Sequence, residues 1–297
     1  MTATPDILCI GSVLWDVIGR ATAVMRMGSD VPGRITRLPG GVALNIAMTL
    51  RRFQLTPALL TAIGQDAEGD ELLMACAGMG LITDYVYKSQ DLPTDRYMAV
   101  EGANGLVAAI ADSHSLEAAG ARILEPLMDG RLGSSARPFA GQIALDGNLT
   151  LGLLSEIAQG DAFQAADLRV APASPGKAER LRPLLECAHA TLYVNLEEAQ
   201  LLLKERPGTA QEAATALRAR GKARILVTDG GRDAADAGPQ GVVTACPPEV
   251  LVTRVTGAGD TFMAAHIAAE RRGEPPQTAL ENALEAAAIF VSGDVPS

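Results

Sequence analysis

Short apolar runs that alternate with Ala- and Leu-rich stretches of helical spacing constrain this chain more than any other feature. Asp6-Ile-Leu-Cys-Ile10 reads as a buried strand ending at Gly11, and after Gly40-Gly41 the stretch Val42 to Phe53 places Ala43, Ile46, Ala47 and Leu50 on one helical face. Leu59 to Ile63 reads as a second strand and Glu68 to Met79 as a second helix. Further apolar runs follow at Ile143 to Leu145, Leu168 to Val170, Leu192 to Val194 and Ile225 to Thr228. Strands without polar alternation belong in a sheet covered on both faces. The repeated strand–helix order therefore predicts an α/β fold: a doubly wound, mostly parallel sheet flanked by helices.

Two stretches break the pattern, Val13 to Leu38 and Tyr85 to Asp112. The second contains Tyr97 to Val100, a turn at Gly102-Ala-Asn-Gly105, and Leu106 to Ile110, which together predict a hairpin. Strands from residues 13–38 and 85–112 are expected to pair into a small separate sheet over one end of the core. Residues 1–297 are expected to form a single α/β domain with that sheet as its lid.

Composition narrows the function classes. Apolar residues make up 48% of 297 positions, enough for a full core and against disorder. The balance of 25 basic and 35 acidic residues gives −10, the wrong sign for a protein that coats nucleic acid. No apolar run reaches the length of a membrane helix, and MTATPDILCIG lacks the basic start of a signal peptide. Cys9, Cys76, Cys187 and Cys246 are far apart, as in a reduced chain. A cytoplasmic protein with no nucleic-acid or membrane partner is expected. His114, His189 and His266 are scattered and read as structural, and Lys177 reads as a surface lysine in a Pro/Gly-rich loop.

The chemistry concentrates near the C-terminus, at Val255-Thr-Gly-Ala-Gly-Asp-Thr-Phe262 followed by a helical run to Arg271. Read as strand, glycines and helix, it puts free amides and a positive dipole end at Gly257, Ala258, Gly259 and Asp260, a cradle for an anion. Glycines let backbone approach phosphate oxygens. A carboxylate beside such a cradle suits proton removal from a hydroxyl during phosphoryl transfer. The plainer alternative is a Gly-rich turn with Asp260 capping the helix. It is not a P-loop, since no Gly-Lys-Ser/Thr follows.

With Thr256 before it, this GAGD run resembles the C-terminal signature of the ribokinase-like (PfkB) carbohydrate kinases. Gly40-Gly-Val-Ala-Leu-Asn45 resembles that family's GGxxxN signature, and Gly11-Ser12 with Asp16 its opening after the first strand. Gly64-Gln-Asp-Ala-Glu-Gly69 is similar to GxDxxG, Asn195-Leu-Glu-Glu198 to NxxE, and Val227-Thr-Asp-Gly230 to the nucleotide-holding loop. Arg96 to Val100, Ala108 to Asp112, Asp146-Gly-Asn-Leu149 and Pro172 to Lys177 resemble segments of the pseudouridine kinase branch.

The resemblance implies ATP-dependent phosphorylation of a sugar or nucleoside, pseudouridine first among the acceptors. A ribose or keto-sugar kinase and a binding protein without turnover remain open. It implies Asp260 as the base, with Gly257, Ala258 and Gly259 as the backbone hole. Asp16, Gly40, Gly41, Asn45 and Arg96 would hold the acceptor, and Asn195, Thr228, Gly230, Thr256, Gly257 and Gly259 the nucleotide. Glu198 would organise Mg²⁺ through water. Two positions depart from the family. Asp233 stands where a second glycine is usual. Arg254 stands where an Asp commonly helps hold a monovalent cation, so the guanidinium is expected to replace K⁺, beside a short C-terminal loop at Ser292 to Pro296. A homodimer through lid strands is also expected.

Overall fold

The computed structural model describes residues 4–26, 28 and 30–293. β1 (Ile7–Ile10) leads into β2 (Leu14–Arg20), β3 (Arg34–Gly40) and helix α1 (Val42–Arg52). β4 (Pro57–Leu60) and β5 (Ala62–Gly64) precede α2 (Ala67–Gly78) and β6 (Tyr87–Ser89). The hairpin of β7 (Arg96–Gly102) and β8 (Gly105–Asp112) runs into α3 (His114–Ala119). Then come β9 (Gln142–Asp146), α4 (Leu151–Gln159), β10 (Asp167–Ala171), β11 (Ala190–Asn195), α5 (Leu196–Leu203) and α6 (Ala210–Ala219). β12 (Arg224–Asp229), β13 (Arg232–Gly238) and β14 (Gly241–Ala245) precede the last two helices, α7 (Ala258–Arg271) and α8 (Pro276–Ser292).

The main sheet has the order β14-β13-β12-β11-β10-β9-β1-β4. It is parallel from β12 to β4, with β13 and β14 added antiparallel at one edge. Alternation along β1 shows why its sequence is apolar throughout. Leu8 and Ile10 pack into the core with α4, α5 and α6, whereas Ile7 and Cys9 pack into the core with α1, α7 and α8. This is the predicted ribokinase-like α/β architecture. Among the described residues no helix is long and apolar enough to cross a membrane, and all four cysteines are free thiols.

The two irregular stretches do make a separate four-stranded sheet, β3-β2-β7-β8. Three details differ from the sequence reading. The run Leu59 to Ile63 is split at Thr61: β4 joins the main sheet and β5 pairs with β6. β13 and β14 were not expected. Arg232–Gly238 carries no β-branched residue, so local propensity is silent; Ala234, Ala235 and Ala237 become a strand because they bury against its neighbours. Finally, no strand precedes Gly257, because the chain from Cys246 to Gly257 is irregular and its Val250, Leu251, Val252 and Val255 are exposed.

His266 fits the structural reading. It is fully buried on α7 with Nδ1 2.9 Å from the Tyr193 hydroxyl, and burial drives its pKa down to about 3. Beside it Glu270 bridges Arg169 and Arg224, tying α7 to β10 and β12.

Candidate active site

The sheet's connectivity puts a crevice at the C-terminal ends of β1 and β9, where chain order reverses and α/β sheets bind ligands. β1 ends there in Gly11 and Ser12, and β9 in Asp146. The buried Asp146 carboxylate accepts hydrogen bonds from the amides of Ser12 (2.8 Å), Ala43 (3.0 Å) and Asn148 (2.7 Å). One side chain thereby fixes the β1–β2 turn, the start of α1 and its own loop. Burial raises its pKa, and the three amides oppose the rise.

Asp16 lies on β2 above the double glycine. A Cβ at Gly40 would fall 2.0 Å from Asp16 Oδ2, and one at Gly41, whose φ is +99°, would fall 2.4 Å from the Ser12 carbonyl oxygen. Glycine is thus required at both positions by close approach, and at Gly41 also by conformation. Burial pushes the Asp16 carboxyl up to about 6.

Asn45, on α1, donates from Nδ2 to Asp260 Oδ2 at 2.9 Å and joins the two ends of the chain. Asp260 sits in the first turn of α7. Burial pushes its pKa up to about 7; the Asn45 bond opposes this, and the charges of Asp146, Glu198 and Asp16 add to it. Gly257 caps α7 at φ +90°, with the Phe290 ring 3.0 Å from where a Cβ would lie. Of the expected Gly257–Ala258–Gly259 amides, that of Ala258 donates to the Val255 carbonyl at 3.0 Å; the Gly259 and Asp260 amides lie in the first turn of α7. Gly259 is exposed, and nothing lies within 4 Å of the position its Cβ would take.

On the opposite side, Asn195 and Glu198 form a reciprocal capping box at the start of α5: the Glu198 amide donates to Asn195 Oδ1 (2.9 Å) and the Asn195 amide to Glu198 Oε2 (2.8 Å). The cap fixes Glu198 close enough for its charge to act on Asp260. Thr228 pairs with Asn195 across β11–β12, and Gly230 takes φ +60° in the turn before β13. Asp233 falls on the exposed start of β13. Thr256 is exposed beside Gly257. Arg254 donates from Nε to the Phe290 carbonyl at 2.8 Å and stacks 3.9 Å over the Phe290 ring. Its charge is held at the C-terminal end of α8, where a cation is favoured. Of the Ser292 to Pro296 loop, Asp294 to Pro296 lie outside the described residues.

Arg96 is the site residue that the structure moves elsewhere. It pairs with Trp15 in the β2–β7 register, whereas Asp16 pairs with Tyr97, so Arg96 lies on the other face of the small sheet. There it binds Glu68 at 2.8 Å. The reading of Lys177 is also corrected: it is half-buried and donates to Asn148 Oδ1, and burial lowers its pKa. Sequence reasoning left Asp146 and Asn148 out of the site. The available signal was a carboxylate ending an otherwise apolar strand beside the switch point.

A family model described as pfkB family carbohydrate kinase matches residues 4–294. The chain belongs to that family. It is similar to a pseudouridine kinase of Escherichia coli, 28% identical over 264 residues that cover 87% of this chain and 81% of the relative. Among solved structures, a carbohydrate kinase from Agrobacterium tumefaciens superposes with a TM-score of 0.81 at 25% identity, covering 98% of this chain and 94% of the other. An Arabidopsis thaliana ribokinase complexed with ribose and ATP superposes with a TM-score of 0.76 at 19% identity, covering 97% and 93%. The protein is accordingly an ATP-dependent sugar or nucleoside kinase of the pfkB family.

Proposed function

We propose that this kinase phosphorylates the 5′-hydroxyl of pseudouridine. The observation that carries phosphoryl transfer to an alcohol is the Asp260 carboxylate, held by Asn45 beside the first-turn amides of α7 and poised near neutrality. In this reading Asp16 accepts hydrogen bonds from ribose hydroxyls. Asp260 takes the proton of the primary hydroxyl as its oxygen bonds to the γ-phosphorus of ATP. The bond from that phosphorus to the β-phosphate oxygen breaks and ADP leaves. The amides of Gly259 and Asp260 and the α7 dipole stabilise the charge on the moving phosphoryl group. Asn195, Thr228, Gly230 and Thr256 border the ATP side, and the irregular, apolar Val250 to Val255 segment offers the base a greasy edge.

The residues present fit a divalent cation. Asp260 feels the negative charges of Asp16, Asp146 and Glu198. Mg²⁺ would be held mainly by water and phosphate oxygens near Glu198. When bound, it would neutralise phosphate charge. Arg254 is read as the standing positive charge that makes K⁺ unnecessary. The small sheet is read as a lid that excludes water, within one cytoplasmic α/β domain.

Two observations favour a nucleoside over a bare sugar. The curated relatives include pseudouridine kinases from Escherichia coli and Arabidopsis thaliana, the latter 30% identical over 100 residues, a match that spans only 26% of that relative. In addition, the Lys177 ammonium and the Asn148 amide stand beside Asp146 as donors suited to ring carbonyls. The test is ADP release across a panel of pseudouridine, uridine, ribose and keto-sugars with ATP and Mg²⁺. Highest kcat/KM with pseudouridine is expected; preference for free ribose would replace the nucleoside reading with a ribose kinase.

A further inference from the structure

The chain crosses between the small sheet and the rest of the fold at four stems: 11–13, Gly40-Gly41, 90–95 and Ser113. Asp146 pins the first two through the Ser12 and Ala43 amides. A second buried carboxylate does the same for the other pair. Asp95 ends the third stem, and its Oδ1 and Oδ2 accept from the amides of Ser115 (2.8 Å) and Leu116 (3.0 Å), just past the fourth. The Ser115 hydroxyl returns to the Pro93 carbonyl at 2.6 Å. Asp95 also reaches the start of β2, just past the first stem, since its carbonyl oxygen accepts the Trp15 amide at 3.2 Å. Trp15 immediately precedes Asp16.

The third stem is moored to α2 as well. Asp66, the N-cap of α2, accepts both the amide and the hydroxyl of Thr94 at 2.7 Å. A Cβ on Gly64 would lie 2.3 Å from the Thr94 amide nitrogen, and one on Gly69 2.7 Å from the Thr94 hydroxyl. The Gly64-Gln-Asp-Ala-Glu-Gly69 run is therefore the seat of this stem.

We propose that Asp95 is a positioning residue of the acceptor site: it locks the last two stems together and, through Trp15, sets where Asp16 stands over the crevice. The inference rests on the reading of Asp16 as the acceptor's partner. Asp95→Asn keeps the volume but turns an NH₂ group toward one of the two amides, so one charge-assisted bond is lost and another weakened. The expected result is an acceptor KM raised about tenfold or more, with the ATP KM and kcat at saturating acceptor within about threefold of wild type. Faster hydrogen exchange at Ser115 and Leu116 should accompany it. Ser115→Ala, a milder break of the same lock, should raise the acceptor KM in the same direction and less.

An unchanged acceptor KM in both variants overturns the proposal. So does an equal rise in both substrates' KM, which marks general damage. Asp16→Asn separates the two readings: if it leaves the acceptor KM untouched, the role given to Asp16 fails, whatever Asp95 does to exchange at its own stem.

Discussion

The role proposed for Asp260 carries an energetic cost. Its carboxyl sits near pH 7 in the folded chain, against the usual carboxylate value near 4, because burial and three neighbouring carboxylates disfavour its charge. In the proposed role of base it must be ionised, so kcat/KM should rise with pH through about 7, steepened at the acid end by Asp16 at about 6. A profile flat from about pH 5 to 8 would count against the assignment. Stability should run the other way. Between the unfolded and folded pKa values the native state binds more protons, so stability falls as pH rises through that window. Asp260→Asn keeps an oxygen for Asn45 and removes the charge. Its kcat should drop by about 10²–10⁴-fold with ligand binding retained. Its Tm should exceed that of wild type at pH 8 by more than at pH 5, read by scanning calorimetry. Arg254 supports a further prediction. With its guanidinium already on the α8 carbonyl and ring of Phe290, rates in K⁺ and in a bulky organic cation should match; strong K⁺ activation would refute the substitution.

At the scale of elements, the parallel strands were legible because each carries a short apolar run that is buried on both faces, and the helices because their apolar faces repeat at helical spacing. What stayed hidden depends on partners rather than on local pattern. β13 is an alanine-rich edge addition, and the irregular approach to Gly257 is set by α8, whose Phe290 fills the space beneath the glycine. In the candidate site, the close approach of Gly40 to Asp16 and the Asn45–Asp260 bond bring together motifs that the order along the chain had singled out. The face that Arg96 takes, opposite to Asp16, was not legible, because strand parity decides it and parity is known only from the β2–β7 register. The same closeness that demands glycine gives an element-level test. In Gly40→Ala the new methyl would meet the Asp16 carboxylate, so the small sheet must tilt away from α1. Acceptor KM should rise about tenfold or more while ATP KM holds, since the proposed nucleotide side lies across the crevice. Equal loss on both substrates in steady-state kinetics would show that the glycine serves folding alone.

For the molecule as a whole, the small sheet is the part whose surface is least accounted for. Asp16 and Tyr97 share the face over the crevice. The opposite face is held to α2 near its base, where Arg37 stacks 4.2 Å over Trp15 and pairs with Glu71. Farther out the same face presents Ile35, Met98 and Ile110, exposed at 77%, 50% and 66%. The register makes them neighbours: Met98 pairs with both Val17 and Ile110, and Ile35 with Gly19. A cluster of large apolar side chains between two free edge strands, β3 and β8, is costly in water and marks a contact surface. A second copy of the chain satisfies it with like against like, which a two-fold axis permits. Sedimentation should therefore give a dimer, and Met98→Lys with Ile110→Lys should give a monomer that remains folded. Because the small sheet would then lose its outer support, the monomer's acceptor KM should rise more than its ATP KM. A wild type that sediments as a monomer at enzyme-assay and higher concentrations would remove the dimer. Those side chains would then be left as the outer skin of a lid that works alone.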